Sequence, residues 1–208
     1  MKLKTACFLL ICILLSGCGY YNSMVATVVD AETMKPIEGA IINVNCFKNE
    51  GWPGLTYGRM SGRVEVVTDK DGKAYIERVC NPLVSEFTLA VYKPGYVVWG
   101  SRAICKPGNV NRWDMPNITK DMLPSCETRK DFRWEDYTFK LERFKPEYSH
   151  ADHESLFNSA INSSFMSYYD PIQEAFRECE GEKVRAEGDR INKWRERRER
   201  EEAEKRKK

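Results

Sequence analysis

Between Val25 and Val98 the chain repeats one device: a short run with apolar side chains at every second position, closed by residues that turn the backbone. Val25-Ala26-Thr27-Val28-Val29 is followed by Pro36, and Ala40 to Phe47 by a glycine- and proline-rich stretch. A period of two sends successive side chains to opposite faces of a strand. Short strands separated by turn signals describe a sandwich of antiparallel sheets. The expected strands are 25–29, 40–47, 63–68, 73–78, 86–92 and 96–103. A seventh falls at 136–144, where Tyr137, Phe139 and Leu141 alternate with Thr138, Lys140 and Glu142. Lys48 to Ser61 holds Gly51, Pro53, Gly54 and Gly58 and reads as a long loop. Asp69-Lys70-Asp71-Gly72 reads as a hairpin turn and Pro94-Gly95 as another. Residues 103–133 are too many for a plain connection and read as an insertion.

Four segments carry a family likeness. Val28-Val29-Asp30, Pro36-Ile37-Glu38-Gly39-Ala40, Thr68-Asp69-Lys70-Asp71-Gly72 and Lys93-Pro94-Gly95-Tyr96 resemble the carboxypeptidase regulatory-like domain. The resemblance covers about Val25–Val98, with a last strand later. It implies a mainly β fold, a seven-stranded antiparallel transthyretin-like or Ig-like sandwich, serving as a non-catalytic appendage. The motifs are turn and core chemistry, so they specify fold well and function poorly. The same fold contains hydroxyisourate hydrolases, but their histidine is absent from Val28-Val29-Asp30 and their C-terminal Tyr-Arg-Gly-Ser is missing.

Upstream, Lys2 and Lys4 precede an apolar run from Thr5 to Leu14, then Leu15-Ser16-Gly17. A basic start, an apolar stretch too short to span a bilayer and a small-residue zone make a secretory leader. Leu15-Ser16-Gly17-Cys18 resembles a bacterial lipobox, which implies removal of residues 1–17 and fatty acylation of Cys18, palmitate included. Several acyl chains anchor stably, because each buried methylene contributes about 0.8 kcal/mol. The expected location is the cell envelope, at the periplasmic face of an outer membrane. Gly19 to Ser23 then forms a tether of at most about 18 Å. Loss of Lys2 and Lys4 takes the formal charge from +2 to zero, which argues against a general nucleic-acid binder.

Export makes disulfides available. Cys46, Cys80, Cys105, Cys126 and Cys179 remain after the leader and Cys18 are set aside. If consecutive strands alternate in direction, the first four fall at one pole of the sandwich. Cys105 with Cys126 is the first expected pair, Cys46 with Cys80 the second, and Cys179 is left over. The same pole would gather Trp52, Tyr57 and Arg59 with Arg112 and Trp113 into a recognition or membrane-contact surface. The competing reading packs these aromatics inward to hold the insertion down.

From 147 onward the pattern changes to a helical extension. Leu156, Phe157, Ala160, Ile161 and Phe165 recur at helical spacing within 152–165, and Asp170-Pro171 marks a second helix start. Lys183–Lys208 mixes both charges as a solvated helix does. His150 and His153 share a helical spacing, but two histidines with no third ligand do not make a metal site. No zincin helix, nucleophile elbow or phosphate loop occurs, and no cofactor is expected. The sequence therefore points to a lipid-anchored, non-catalytic envelope module whose partner is an envelope protein or the cell wall. A second reading makes it an accessory subunit that docks through Phe157, Ile161, Phe165, Phe176 and the tail. A third, an unrecognised hydrolase, ranks behind both.

Overall fold

The computed structural model describes residues 23–52, 55–77, 80, 86–115, 118–161 and 170–206. The expected leader, Cys18, the expected strand end at Arg78 and Phe165 lie outside them.

The described residues form nine strands, not seven. Strands β1 (Met24–Asp30), β4 (Lys73–Ile76) and β9 (Tyr137–Leu141) make one sheet in the order β4-β1-β9. Strands β2 (Ile41–Trp52), β3 (Leu55–Val67), β5 (Glu86–Tyr92) and β6 (Trp99–Gly100) make the other, in the order β3-β2-β5-β6. The two extra strands, β7 (Ala103–Lys106) and β8 (Ser125–Thr128), pair as a separate ribbon inside the insertion. Alternation does its expected work between the layers. Ala26, Val28, Ile76, Phe139 and Leu141 face Ile42, Val44, Leu89, Val91 and Trp99 in one buried core.

Three boundaries differ from the sequence reading. Lys48 to Ser61 is not a loop, because β2 and β3 pair without interruption from Phe47↔Met60 out to Trp52↔Leu55. Gly51 and Gly58, two of the glycines that suggested a loop, sit inside paired strands, and at Gly58 an added Cβ would meet nothing within 4 Å. Asp69–Gly72 is not a hairpin turn, since β3 and β4 belong to different sheets. It is a corner, held where Asp69 Oδ1 accepts from the Asp71 and Lys73 amides at 2.9 Å each. The sixth strand stops at Gly100, and the chain bends at Ser101 and Arg102.

Two helices cover the outer face of the four-stranded sheet. α1 is His150–Ile161 and α2 is Pro171–Lys205, continuous through Gly181 and Gly188. Phe157, Ile161, Ile172 and Phe176 pack on Ala90, Tyr92 and Val98 as a second core. This corrects the docking role expected of Phe157, Ile161 and Phe176, because the sheet already occupies that face. Asn45, on the same face, donates to the Ile161 carbonyl at 3.0 Å and satisfies a helix-end acceptor. Among the described residues no helix is long and apolar enough to cross a membrane.

Candidate functional site

The motif segments of the sandwich clasp one another. The buried Asp30 carboxylate accepts at Oδ1 from the Thr33 and Glu32 amides and the Thr33 hydroxyl. Its Oδ2 accepts from the Tyr96 hydroxyl at 3.1 Å and pairs with Arg143 Nε at 2.7 Å. The Thr33 amide leads the donors that hold its pKa down at about 2. Thr68 Oγ1 donates to the Ile37 carbonyl at 2.7 Å and accepts from the Ala40 amide at 2.9 Å. Gly72, at φ +70°, passes so close to β1 that a Cβ would stand 2.5 Å from the Val28 carbonyl oxygen. These residues join turn to strand.

The cysteines pair as Cys46–Cys80 and Cys105–Cys126, with Cys179 free. They do not share a pole. Cys46 lies in the inter-sheet core, and Cys80 follows β4, whose last residue Ile76 pairs with Met24 at the start of β1. The bend at Ser101 and Arg102 carries Cys105 back to a cleft it shares with Val97, Val98, Lys140 and Glu142, towards the ends of β1 and β9. Parity gathers the four cysteines only if the sixth strand runs straight on, and it does not.

The candidate surface residues separate accordingly. Trp52, Tyr57 and Arg59 ride on the β2–β3 hairpin, and Trp52 is 83% exposed, with Leu55 and Tyr57 at 81% and 61%. Arg112 and Trp113 sit at the other end, and Arg112 is no surface residue. It is 3% exposed, in a bidentate pair with Asp152 at 2.5 and 2.8 Å. Asp152 Oδ2 also takes the Gly108 amide at 2.9 Å. Trp113 packs edge-on against Trp194 of α2 with Arg112 over its ring. The inward-packing reading holds for this pair, except that the insertion is held to the helices and not to the sandwich.

The helix seam contains groups the sequence did not flag. Ser149 Oγ accepts from the Asp152 amide and donates to Glu187 Oε1, while Glu187 Oε2 accepts from the Ala151 amide. A carboxylate from α2 thus caps the first turn of α1. Glu180, also buried, pairs with His150 Nδ1. Burial pushes the Glu180 carboxyl up, but the His150 hydrogen bond and nearby positive charge leave it below the usual range. Ile172, Phe176, Glu180 and Glu187 are spaced four, four and seven apart, a stripe that breaks the tail's otherwise solvated pattern. His153 is fully buried and its Nε2 accepts the Val98 amide at 3.0 Å, which puts the neutral ring's proton on Nδ1. Among the described residues no cluster of three His, Cys, Asp or Glu side chains suits a metal ion. A cavity of about 80 Å³ lies between Val98, Gly100, Ala103, Leu156 and Ala160, well below the ~300 Å³ of a small-molecule site.

Among the described residues Trp52 and Leu55, at the outer end of the β2–β3 pairing, are the most exposed large apolar side chains. No family model matches the chain, and no curated protein does. Among solved structures it is similar to a streptococcal ancillary pilin, at 14% identity and TM-score 0.26 over 60% of this chain and 30% of that one. It is also similar to 3-chlorocatechol 1,2-dioxygenase from Rhodococcus opacus 1CP, at 14% identity and TM-score 0.30 over 59% and 61%. The shaft pilin SpaA from Lactobacillus rhamnosus GG gives 13% identity and TM-score 0.29 over 59% and 45%. The chain therefore spans less than two thirds of each of these proteins.

Proposed function

We propose that this protein is a lipid-anchored component of a bacterial cell envelope. Its sandwich, of the carboxypeptidase regulatory-like kind, serves as a non-catalytic structural or binding module. The observation that supports the reading is the disulfide pairing, downstream of the leader expected from the sequence. Cys46–Cys80 ties two parts of the sandwich core together and Cys105–Cys126 staples the insertion, and such bonds persist where the compartment is oxidising. Leu15-Ser16-Gly17-Cys18 supplies the anchor. The motif segments that carry the family likeness spend their polar groups on one another, as Asp30 with Tyr96 and Thr68 with Ile37 do. That leaves function to the surface.

The test is metabolic labelling with a radioactive fatty acid in a bacterial host, with fractionation of the envelope. The full chain is expected to take up label and sediment with membranes, and Cys18→Ala to lose both. Unlabelled protein in the soluble fraction would overturn the reading.

A further inference from the structure

The β2–β3 hairpin leaves the sandwich at a defined place. Cys46 pairs with Gly62 and Phe47 with Met60, so Ser61 is an extra residue on β3. A bulge of this kind bends the strand pair and re-aims its outer half. Past the bulge the pairs are Lys48↔Arg59, Glu50↔Tyr57 and Trp52↔Leu55. Directly opposed residues project to the same side, and alternate residues along a strand share that side. One face therefore reads, from tip to base, Trp52 with Leu55, then Tyr57 with Glu50, then Lys48 with Arg59. The other carries Gly51, then Asn49 and Gly58. Glu50 is held by Lys48 at 2.5 Å and by Arg59 at 3.3 Å, so the strip keeps a net positive base.

That order is the one a membrane surface presents: hydrocarbon edge, then the level where amphipathic rings settle, then anionic phosphates reached by long cationic stems. Elements lying at the interface bury about 5–10 Å, and at ~3.3 Å per strand residue that depth takes in Trp52, Leu55 and Tyr57 together with Glu50 opposite Tyr57, whose carboxylate Lys48 and Arg59 neutralise from the level above.

The position in the chain agrees. Met24, the first strand residue after the tether, pairs with Ile76, and four residues later Cys80 is bonded to Cys46, next to the base of the hairpin. The chain entering from Cys18 and the hairpin thus leave the same end of the sandwich. The tether reaches at most about 18 Å, and the six residues from Phe47 to Trp52 rise about 20 Å. Both can meet one bilayer plane.

We propose that the tip of the β2–β3 hairpin inserts into the headgroup layer of the bilayer that holds the lipid anchor, making a second, protein-borne contact. The proposal deepens the anchored reading and rests on it for the choice of bilayer.

The experiment uses full-length protein extracted from the host envelope and reconstituted into phosphatidylethanolamine–phosphatidylglycerol vesicles. The vesicles either contain or lack phosphatidylcholine brominated near the glycerol end of its acyl chains. Tryptophan emission reads the tip, and the mass of the N-terminal peptide reads the anchor separately. Brominated lipid is expected to remove up to about one fifth of the emission, the share of one tryptophan in five. Trp52→Phe should abolish that loss. Leu55→Asp, which keeps Trp52 and alters a side chain 81% exposed, should reduce it. Acylated protein with equal quenching in wild type and Trp52→Phe would overturn the hairpin insertion and leave the anchor standing. Protein lacking acyl groups whose Trp52 is still quenched when added to vesicles would support the insertion while the anchor fails. Neither acylation nor quenching would overturn both.

Discussion

Acidification should loosen the clamp of α1 and α2 on the sheet through His153. The ring is enclosed by Tyr92, Phe144 and Phe176, with His150 and Glu180 the ionisable groups facing it. Burial is the main cause that lowers its pKa from 6.5 to about 4, against the pull of Glu180. The unfolded chain therefore binds this proton at higher pH than the folded one. Stability is fully present above about pH 6.5 and is lost as pH falls towards 4. The gap between the two values is worth ~3 kcal/mol in all, and ~2 kcal/mol of it is gone by pH 5. Urea unfolding from pH 7.5 to 4.5, followed by circular dichroism, should show the midpoint dropping by about 1 M. His153→Gln keeps an acceptor for the Val98 amide and removes the titration. It should be less stable than wild type at pH 7.5, yet its midpoint should change much less over this range. Parallel pH profiles for the two proteins would refute the argument. Asp30 acts in a separate window: its lowered value protects the fold above the ordinary carboxylate range, and that protection fades only as pH falls towards 2.

Other substitutions separate causes that the fold combines. Gly72→Ala and Gly95→Ala both force a left-handed residue, at φ +70° and +85°, but only the first meets a backbone oxygen. Gly95→Ala should cost ~1 kcal/mol and Gly72→Ala clearly more in thermal or urea unfolding. Asp152→Ala strands the buried Arg112 guanidinium and should cost about 3–5 kcal/mol, most of it recovered by a joint Arg112→Met and Asp152→Leu replacement. Replacing Cys46 and Cys80 together by serine should cost ~4 kcal/mol by loop entropy for a separation of 34 residues, against ~3 kcal/mol for Cys105 and Cys126 at 21, both read from urea midpoints.

Local periodicity made the sandwich legible. β5 falls at Glu86–Tyr92 as its alternation required, and the alternation of Tyr137, Phe139 and Leu141 marked β9. Turn chemistry at Asp69 and Gly72 was also readable, though not whether the corner joined one sheet or two. The hairpin is hidden in the sequence because glycine reads as a breaker wherever it occurs. In an isolated ribbon nothing packs against Gly58, so its lost side chain costs little. The insertion's anchoring was out of reach for another reason. Arg112 and Asp152 are forty residues apart, and nothing around either announces a buried partner. Trp113 could be read as an inward-packing residue, but not as a neighbour of Trp194, which the sequence places on a charged helix.

The course of α2 has a consequence of its own. It begins where Asp170 meets Arg63, on the half of the sheet nearest Cys46, and by Trp194 it has reached the far end beside Trp113. At 1.5 Å per residue, thirty-five residues make a rod of about 52 Å. Under the anchoring proposed above, with the near end tied to lipid, its last turns would stand as a mast pointing away from the bilayer. Whatever meets those alternating charges would be held a fixed height above the membrane, set by rigid backbone and not by slack chain.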